Sequence, residues 1–247
     1  MQTPFEGARY YESSQKKKGV ILLHAYTGSP RDVNLLARKL QNQGMNVLCP
    51  LFKGHDSMNI EDIFTGNPKI WQDETSQWIQ WMTTQGFEEL YIFGLSMGGI
   101  FATWALCQTD FELKAGGVFN SPVTSKRDIN ITQPFLAFAR FIYNKQHPGC
   151  FDQVKDNILN QHLFQMQALE DFKESFHSDL AELTGAFYIG QSLQDELIDP
   201  NGARDLEESL VSAKTTMKWY PNNSHVITVN RDRQDFENDV IEFINQA

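Results

Sequence analysis

Short runs of apolar residues alternate along the chain with longer segments in which apolar residues recur at helical spacing. The runs predict buried strands at residues 19–24, 45–49, 90–93, 115–120, 186–190 and 217–220. After the first run, Val33, Leu36, Ala37 and Leu40 form one apolar stripe, and Ser29 is the expected N-cap of that helix. Strands that are apolar on both faces and alternate with helices indicate an α/β fold with a mostly parallel sheet covered by helices on both faces.

One segment, residues 122–184, interrupts this alternation because it contains no clear strand. Phe135, Phe138 and Phe141 recur there at intervals typical of helices. We therefore predict a single α/β domain over residues 1–247, with a small helical cap inserted at about 122–184 between two core strands. These three phenylalanines either line a pocket under the cap or pack the cap onto the core.

The charge balance narrows the classes of partner. Among 247 residues, 21 are Lys or Arg and 31 are Asp or Glu, which gives a formal net charge of −10. Phosphate contacts need clustered basic residues, so this balance argues against a nucleic-acid-binding protein.

Cysteine content and the first residues bear on location. The three cysteines have no metal-binding or disulfide spacing, which favours reduced thiols and no metal site. No charged segment followed by an apolar stretch opens the chain, and the early apolar run at 20–23 is far too short to span a membrane. We therefore expect a cytoplasmic protein without stable membrane insertion.

The motif with the clearest chemical meaning is Gly-Leu-Ser-Met-Gly-Gly at residues 94–99. It lies between the predicted strand at 90–93 and a helical segment from Ile100, the strand–turn–helix setting of a nucleophile elbow. Small residues two positions either side of Ser96 let strand and helix pass closely, and the sharp turn exposes the serine hydroxyl. A phosphate-binding loop is the alternative, but it requires a lysine and a different glycine spacing.

A serine nucleophile on this scaffold is followed in the chain first by an acid and then by a histidine. Asp195 is the first acid after the predicted strand at 186–190. Asp199 precedes Pro200 and is expected to cap a helix, whereas Glu196 is expected to be solvated. Asp195 is therefore the candidate acid, although it could instead satisfy local backbone N–H groups.

His225 is the candidate base, because it is the one histidine that follows Asp195 in the sequence. His24 ends a buried strand and is expected to be a core residue, and His55 is expected to stabilise a loop. We expect the three histidines of the inserted segment to be exposed: His147, His162 and His177.

Acyl transfer also requires two N–H groups for the developing oxyanion. The backbone N–H of Met97 follows the nucleophile, and the loop after the first buried strand supplies the second donor. We assign that second donor to Tyr26, whose ring is expected to wall the acyl pocket or to pack under the cap.

With these residues in place, the chain resembles the α/β-hydrolase superfamily, and within it the small bacterial carboxylesterases related to monoacylglycerol lipases. Five motifs carry the resemblance, at residues 24–28, 53–55, 94–99, 195–200 and 224–228. It departs from the family at Ala25 and Asp56, where many members have glycine.

The resemblance implies an eight-stranded, mostly parallel sheet, a small helical cap, and no cofactor or metal. It makes Ser96, Asp195 and His225 a catalytic triad, and Tyr26 and Met97 the oxyanion hole. The expected activity is hydrolysis of short- to medium-chain carboxylic esters, including monoacylglycerols, through a covalent acyl-enzyme.

Two points stay open at this level. Phe135, Phe138, Phe141 and Phe164 are the candidate residues for the acyl pocket, or else the seam between cap and core. The same residues would also serve an acyltransferase, a serine peptidase, or a protein that binds an ester without turnover, because a fold does not by itself establish catalysis.

Overall fold

The computed structural model describes residues 3–127 and 131–247. Within these residues the chain forms one seven-stranded sheet. Its strands are β1 (Arg9–Tyr11), β2 (Lys18–Leu23), β3 (Asn46–Cys49), β4 (Glu89–Leu95), β5 (Ala115–Phe119), β6 (Gly185–Ser192) and β7 (Ala213–Tyr220). The strand order is β1-β3-β2-β4-β5-β6-β7, and every pair is parallel except β1 with β3.

The mostly parallel α/β sheet is thus confirmed, but the expected count of eight strands is wrong by one. The six strands predicted from apolar runs are all present, and β1 is added at the edge. Ahead of β2 the described chain makes only this one three-residue strand, because the polar run at 12–18 ends the pairing.

Seven α-helices accompany the sheet in the described part of the chain. They are α1 (Asn34–Asn42), α2 (Pro68–Thr84), α3 (Met97–Cys107), α4 (Thr132–Gln146), α5 (Lys155–Ser175), α6 (Gly202–Ser209) and α7 (Gln234–Gln246). Helices α2, α3 and α6 pack on one face of the sheet, and α1 and α7 pack on the other. In β2, Ile21 and Leu23 face the first layer and Val20 and Leu22 face the second, so both faces are buried.

The first helix begins later than its sequence signals predicted. It starts at Asn34 instead of directly after Ser29, because residues 29–32 form a turn. Within that turn the N–H of Asp32 donates to the carbonyl of Ser29 at 2.9 Å, and the Asp32 carboxylate accepts from the Ser29 N–H at 3.3 Å.

In its described residues the chain between β5 and β6 contains no strand, and its two α-helices are α4 and α5. We call residues 122–184 the cap segment. Phe135, Leu136, Ala139 and Ile142 of α4 form a small core of their own with Phe151, Ile158 and the 3₁₀-helix Ile60–Thr65. Helix α5 is tied to the main core by Phe172, whose ring stacks on Phe101 with the centroids 5.0 Å apart.

Strand β4 and helix α3 meet at a single residue, since β4 ends at Leu95 and α3 begins at Met97. A Cβ atom on Gly94 would collide with the backbone of Gly98. A Cβ atom on Gly98 would lie 2.6 Å from the carbonyl oxygen of Leu23, at the end of β2. The sharp turn therefore requires glycine on both sides.

None of the helices in the two described ranges combines the length and the apolar character that a membrane-spanning helix requires.

Gly94→Ala should lower the free energy of unfolding by about 3 kcal/mol or more, because the added methyl group overlaps backbone that cannot move aside. The measurement is urea unfolding followed by circular dichroism. Gly202→Ala is the matched control, since no atom lies within 4 Å of the Cβ position there, and it should stay within about 1 kcal/mol of the wild type. Equal stability of the two variants would contradict the close crossing.

Candidate active site

Ser96 occupies the turn between β4 and α3 in a strained backbone conformation, with φ 52° and ψ −119°. Non-glycine residues rarely adopt positive φ, and the strain persists only where the surroundings enforce it. The Ser96 N–H donates to the carbonyl of Phe119 at 2.9 Å, and the Ser121 hydroxyl donates to the Ser96 carbonyl at 2.7 Å. The end of β5 therefore holds this turn on both sides.

The predicted acid and base are in direct contact. His225 Nδ1 lies 2.9 Å from both carboxylate oxygens of Asp195. The Asp195 side chain is fully buried and the His225 side chain is 3% exposed. Asp195 Oδ1 also accepts from the N–H groups of Leu197 and Ile198, at 2.9 and 3.0 Å. One carboxylate of Asp195 therefore contacts both the imidazole of His225 and the backbone of its own loop.

The two neighbouring acids have roles that differ from expectation. Glu196 is exposed as predicted, but its Oε2 accepts from the backbone N–H of His225 at 3.0 Å. Asp199 does not cap α6, whose N-cap is Asn201. Its carboxylate instead accepts from the N–H of Asn201 at 2.9 Å and pairs with Arg127 at 2.9 Å.

Asn120 connects the strand ends that carry these residues, and sequence reasoning missed it. It follows β5 with a positive φ of 44° and is fully buried. Its amide nitrogen donates to the carbonyl of His225 at 2.6 Å and to Ser192 Oγ at 2.8 Å, while its Oδ1 accepts from the Ser192 N–H at 2.7 Å. The available signal was an asparagine, a residue tolerant of positive φ, directly after a strand.

The two predicted oxyanion donors meet at one cavity. Tyr26, Ser96 and Met97 all line a cavity of about 290 Å³. Neither the Tyr26 N–H nor the Met97 N–H donates to another backbone carbonyl within the described chain. Since Met97 is the first residue of α3, its N–H also lies at the positive end of the helix dipole.

Three histidines near the Tyr26 loop are buried, and two of them, His55 and His162, contact the Tyr26 ring. His24 matches its predicted core role: its Nδ1 lies 2.8 Å from the Ala25 carbonyl and its Nε2 accepts from the Phe52 N–H at 3.1 Å. His55 is buried, with Nδ1 3.2 Å from the carbonyl of Lys53, in agreement with a loop-stabilising role. His162 is fully buried, so the prediction that it is exposed is wrong, because α5 turns this residue inward against Phe135.

Burial keeps these histidines neutral near pH 7. It lowers the pKa of His55 and of His162 to about 4, and it holds the pKa of His24 well below its ordinary value. Burial likewise raises the pKa of the Tyr26 phenol, which therefore keeps its proton and remains a hydrogen-bond donor.

The two other histidines of the cap segment are less buried: His147 is exposed, as predicted, and His177 is half-buried.

None of the four phenylalanines predicted for the substrate pocket lines the cavity at Ser96. Phe135 is buried in the small core of the cap segment and Phe138 packs against it, so these two rings pack the cap helices against one another and against the 3₁₀-helix Ile60–Thr65, not onto the main core. Phe141 and Phe164 are 61% and 79% exposed. The cavity wall is formed instead by Ile100, Pro122, Ser125, Arg127, Ile131, Thr132, Leu163, Met166, Leu169 and Glu170.

No group of three or more His, Cys, Asp or Glu side chains suited to holding a metal ion occurs in residues 3–127 and 131–247.

No family model matches the chain. Two curated proteins are similar over nearly its whole length. A carboxylesterase from Bacillus subtilis (strain 168) is 25% identical over 234 residues, covering 93% of each chain. A thermostable monoacylglycerol lipase from Bacillus sp. (strain H-257) is 24% identical over 238 residues, covering 92% of this chain and 90% of the lipase.

Solved structures show the same fold. A structure described with the metagenome-derived lipolytic enzymes LipS and LipT matches with a TM-score of 0.75 and 19% identity, covering 98% of this chain and 99% of the other. MGS-MChE2, an α/β hydrolase from a lagoon-sediment metagenome, matches with a TM-score of 0.70 and 15% identity, covering 99% and 97%. The protein therefore has the α/β-hydrolase fold. Its resemblance to bacterial carboxylesterases and monoacylglycerol lipases, predicted from the motifs, is confirmed by these relatives.

Asp32 beside the Tyr26 loop gives a test of stability against pH. Burial raises its pKa from 3.8 to about 6. Between these values the folded protein binds more protons than the unfolded chain, so this group's contribution to stability falls as pH rises from about 4 to about 6. The free energy of unfolding of Asp32→Asn, relative to that of the wild type, should therefore increase as the pH rises through this range. The measurement is urea unfolding at pH 4, 5, 6 and 7. Asp110→Asn, on an exposed turn, is the control. A constant difference between Asp32→Asn and the wild type would contradict this origin.

Proposed function

We propose that the protein is a serine carboxylesterase that hydrolyses short- to medium-chain carboxylic esters, including monoacylglycerols, through an acyl-enzyme. One observation carries the proposal: Ser96 has the strained conformation of a nucleophile elbow and shares a cavity with the two candidate oxyanion donors, Tyr26 and Met97. The buried Asp195–His225 pair and the esterase and lipase names of the relatives support it further.

In this mechanism, His225 removes the proton of Ser96 while the serine oxygen attacks the ester carbonyl. The backbone N–H groups of Tyr26 and Met97 stabilise the oxyanion that forms. His225 then protonates the departing alcohol, which leaves an acyl group on Ser96. Water, deprotonated by His225, hydrolyses this acyl-enzyme and restores the serine. Asp195 keeps the imidazole oriented and stabilises its protonated form.

The position of the cavity bears on which part of the ester it accepts. The departing alcohol must lie near His225, since it takes its proton from that residue. The cavity at Ser96 is lined by both oxyanion residues and, among the described residues, not by His225. We therefore assign it to the acyl group. A volume of about 290 Å³ is at the small end of ligand pockets, in keeping with short to medium acyl chains.

The cap segment and the cysteines complete the proposal. Leu163, Met166 and Leu169 of α5 cover the cavity, so residues 122–184 act as a cap over the acyl site. All three cysteines are free, which suits the predicted cytoplasmic location.

Wild-type protein should hydrolyse p-nitrophenyl esters with a kcat/KM that peaks at a short or medium acyl chain, because the cavity is small. Ser96→Ala should lower kcat by at least about 10⁴-fold, since it removes the nucleophile. The measurement is p-nitrophenol release from a graded series of p-nitrophenyl esters that runs from the acetate through the hexanoate and decanoate to the palmitate. Ser125→Ala, a second serine on the cavity wall, is the matched control and should retain turnover. Near-native activity of Ser96→Ala would overturn the assignment.

Asn120→Gly should lower kcat by about 10- to 100-fold with little change in KM, because the His225 backbone loses its amide donor. Glycine tolerates the positive φ at this position, so the substitution tests the hydrogen bonds without adding strain. The measurement is steady-state kinetics on the best ester of the series. An unchanged kcat would show that Asn120 does not position the base.

A further inference from the structure

The phenol of Tyr26 is anchored by the cap segment. Its hydroxyl donates to Gln165 Oε1 at 2.7 Å and lies 3.3 Å from His162 Nδ1. Both partners belong to α5, 139 and 136 residues further along the chain. The residue whose backbone N–H is the candidate oxyanion donor is therefore held through its side chain by a different part of the molecule.

Both the oxygen and the nitrogen of the Gln165 side-chain amide have hydrogen-bond partners. It is only 4% exposed, and its amide nitrogen donates to the carbonyl of Ile63 at 3.0 Å and of Gly66 at 2.8 Å. One side-chain amide thus joins the Tyr26 loop, the segment before α2, and helix α5. A buried amide with all its partners in place has one well-defined orientation, because every alternative leaves a polar group unpaired.

The remaining contacts of the Tyr26 ring are packing contacts. The ring centroid lies 5.8 Å from those of Phe135 and His162 and 6.0 Å from that of His55. Packing contacts of this kind are less directional than a hydrogen bond. The hydrogen bond to Gln165 supplies the directional restraint.

We propose that Gln165 is a positioning residue for the oxyanion hole: through the Tyr26 phenol, the cap segment sets the position of the Tyr26 N–H. This inference rests on the proposed function, because it assigns that N–H to the oxyanion. Removal of the phenol oxygen and removal of the Gln165 amide break the same hydrogen bond. The first change also removes the contact with His162 Nδ1, and the second also removes the two hydrogen bonds to backbone carbonyls.

The test is a double-mutant cycle with Tyr26→Phe, Gln165→Leu and the double variant. Turnover is measured with the best p-nitrophenyl ester. Inhibition is measured with 1,1,1-trifluorohexan-2-one, because a serine nucleophile adds to the carbonyl of this ketone and the resulting oxyanion occupies the oxyanion hole. Tyr26→Phe retains the ring and removes one oxygen, so it keeps the test valid if Gln165→Leu fails to fold. Tyr143→Phe on α4 and Gln167→Leu on the exposed face of α5 are matched controls.

Each single variant should lower kcat by about tenfold, with KM within about twofold of the wild type, because transition-state stabilisation is lost while ground-state binding is retained. The inhibition constant of the ketone should rise by the same factor as kcat falls. The kcat of the double variant should lie within about twofold of the kcat of the more impaired single variant, as expected for two residues that act through one hydrogen bond. The controls should match the wild type.

Three outcomes would overturn the inference: an unchanged kcat and ketone affinity in Tyr26→Phe, losses confined to KM, or losses that multiply in the double variant. If the wild type turns over esters and Ser96→Ala does not, any of these removes the positioning role alone. A wild type that neither hydrolyses an ester nor binds the ketone would remove the proposed function as well.

Discussion

Only Ser96 separates the end of strand β4 from the start of helix α3, and the two backbones touch at Gly94 and Gly98. No unstrained path joins them in that space, so Ser96 takes a positive φ and its hydroxyl is displayed at the end of the sheet. Hydrogen bonds from the end of β5 hold both sides of the turn. The position of the serine therefore depends on a backbone crossing that neighbouring strands enforce, and the rest of the site is arranged around it.

The partners of Ser96 follow the carboxyl ends of the adjacent parallel strands, which meet at one edge of the sheet. Tyr26 follows β2, Asn120 follows β5 and Asp195 follows β6. The Asp195 side chain is buried, and it demands hydrogen-bond donors because a buried carboxylate without them is strongly unfavourable. Asp195 meets that demand with His225 and two backbone N–H groups, and Asn120 ties the loop of His225 back to the strand ends.

The sequence alone was sufficient for six of the seven strands, because an apolar run is a local signal. It also predicted the contact between Asp195 and His225, because the order of nucleophile, acid and base along the chain leaves few candidates. It was insufficient for Asn120, Gln165 and Glu196, whose partners lie at distant positions in the chain and leave no pattern around them. The phenylalanine periodicity predicted helices correctly but pockets wrongly. Helical spacing indicates which side chains share a face of a helix. It does not indicate whether that face meets a cavity, a small separate core or solvent. Leu163 and Met166, for example, line the cavity.

Helix α5 illustrates why a cap can matter beyond covering a site. Leu163, Met166 and Leu169 form part of the cavity wall, and on an overlapping face of the same helix His162 and Gln165 contact the Tyr26 phenol. A rigid helix cannot move one face without the other. Any shift of α5 that moves its cavity-lining residues therefore also moves the partners of the Tyr26 phenol, so that under the proposed function the space for the acyl group and the geometry offered to the oxyanion are set together.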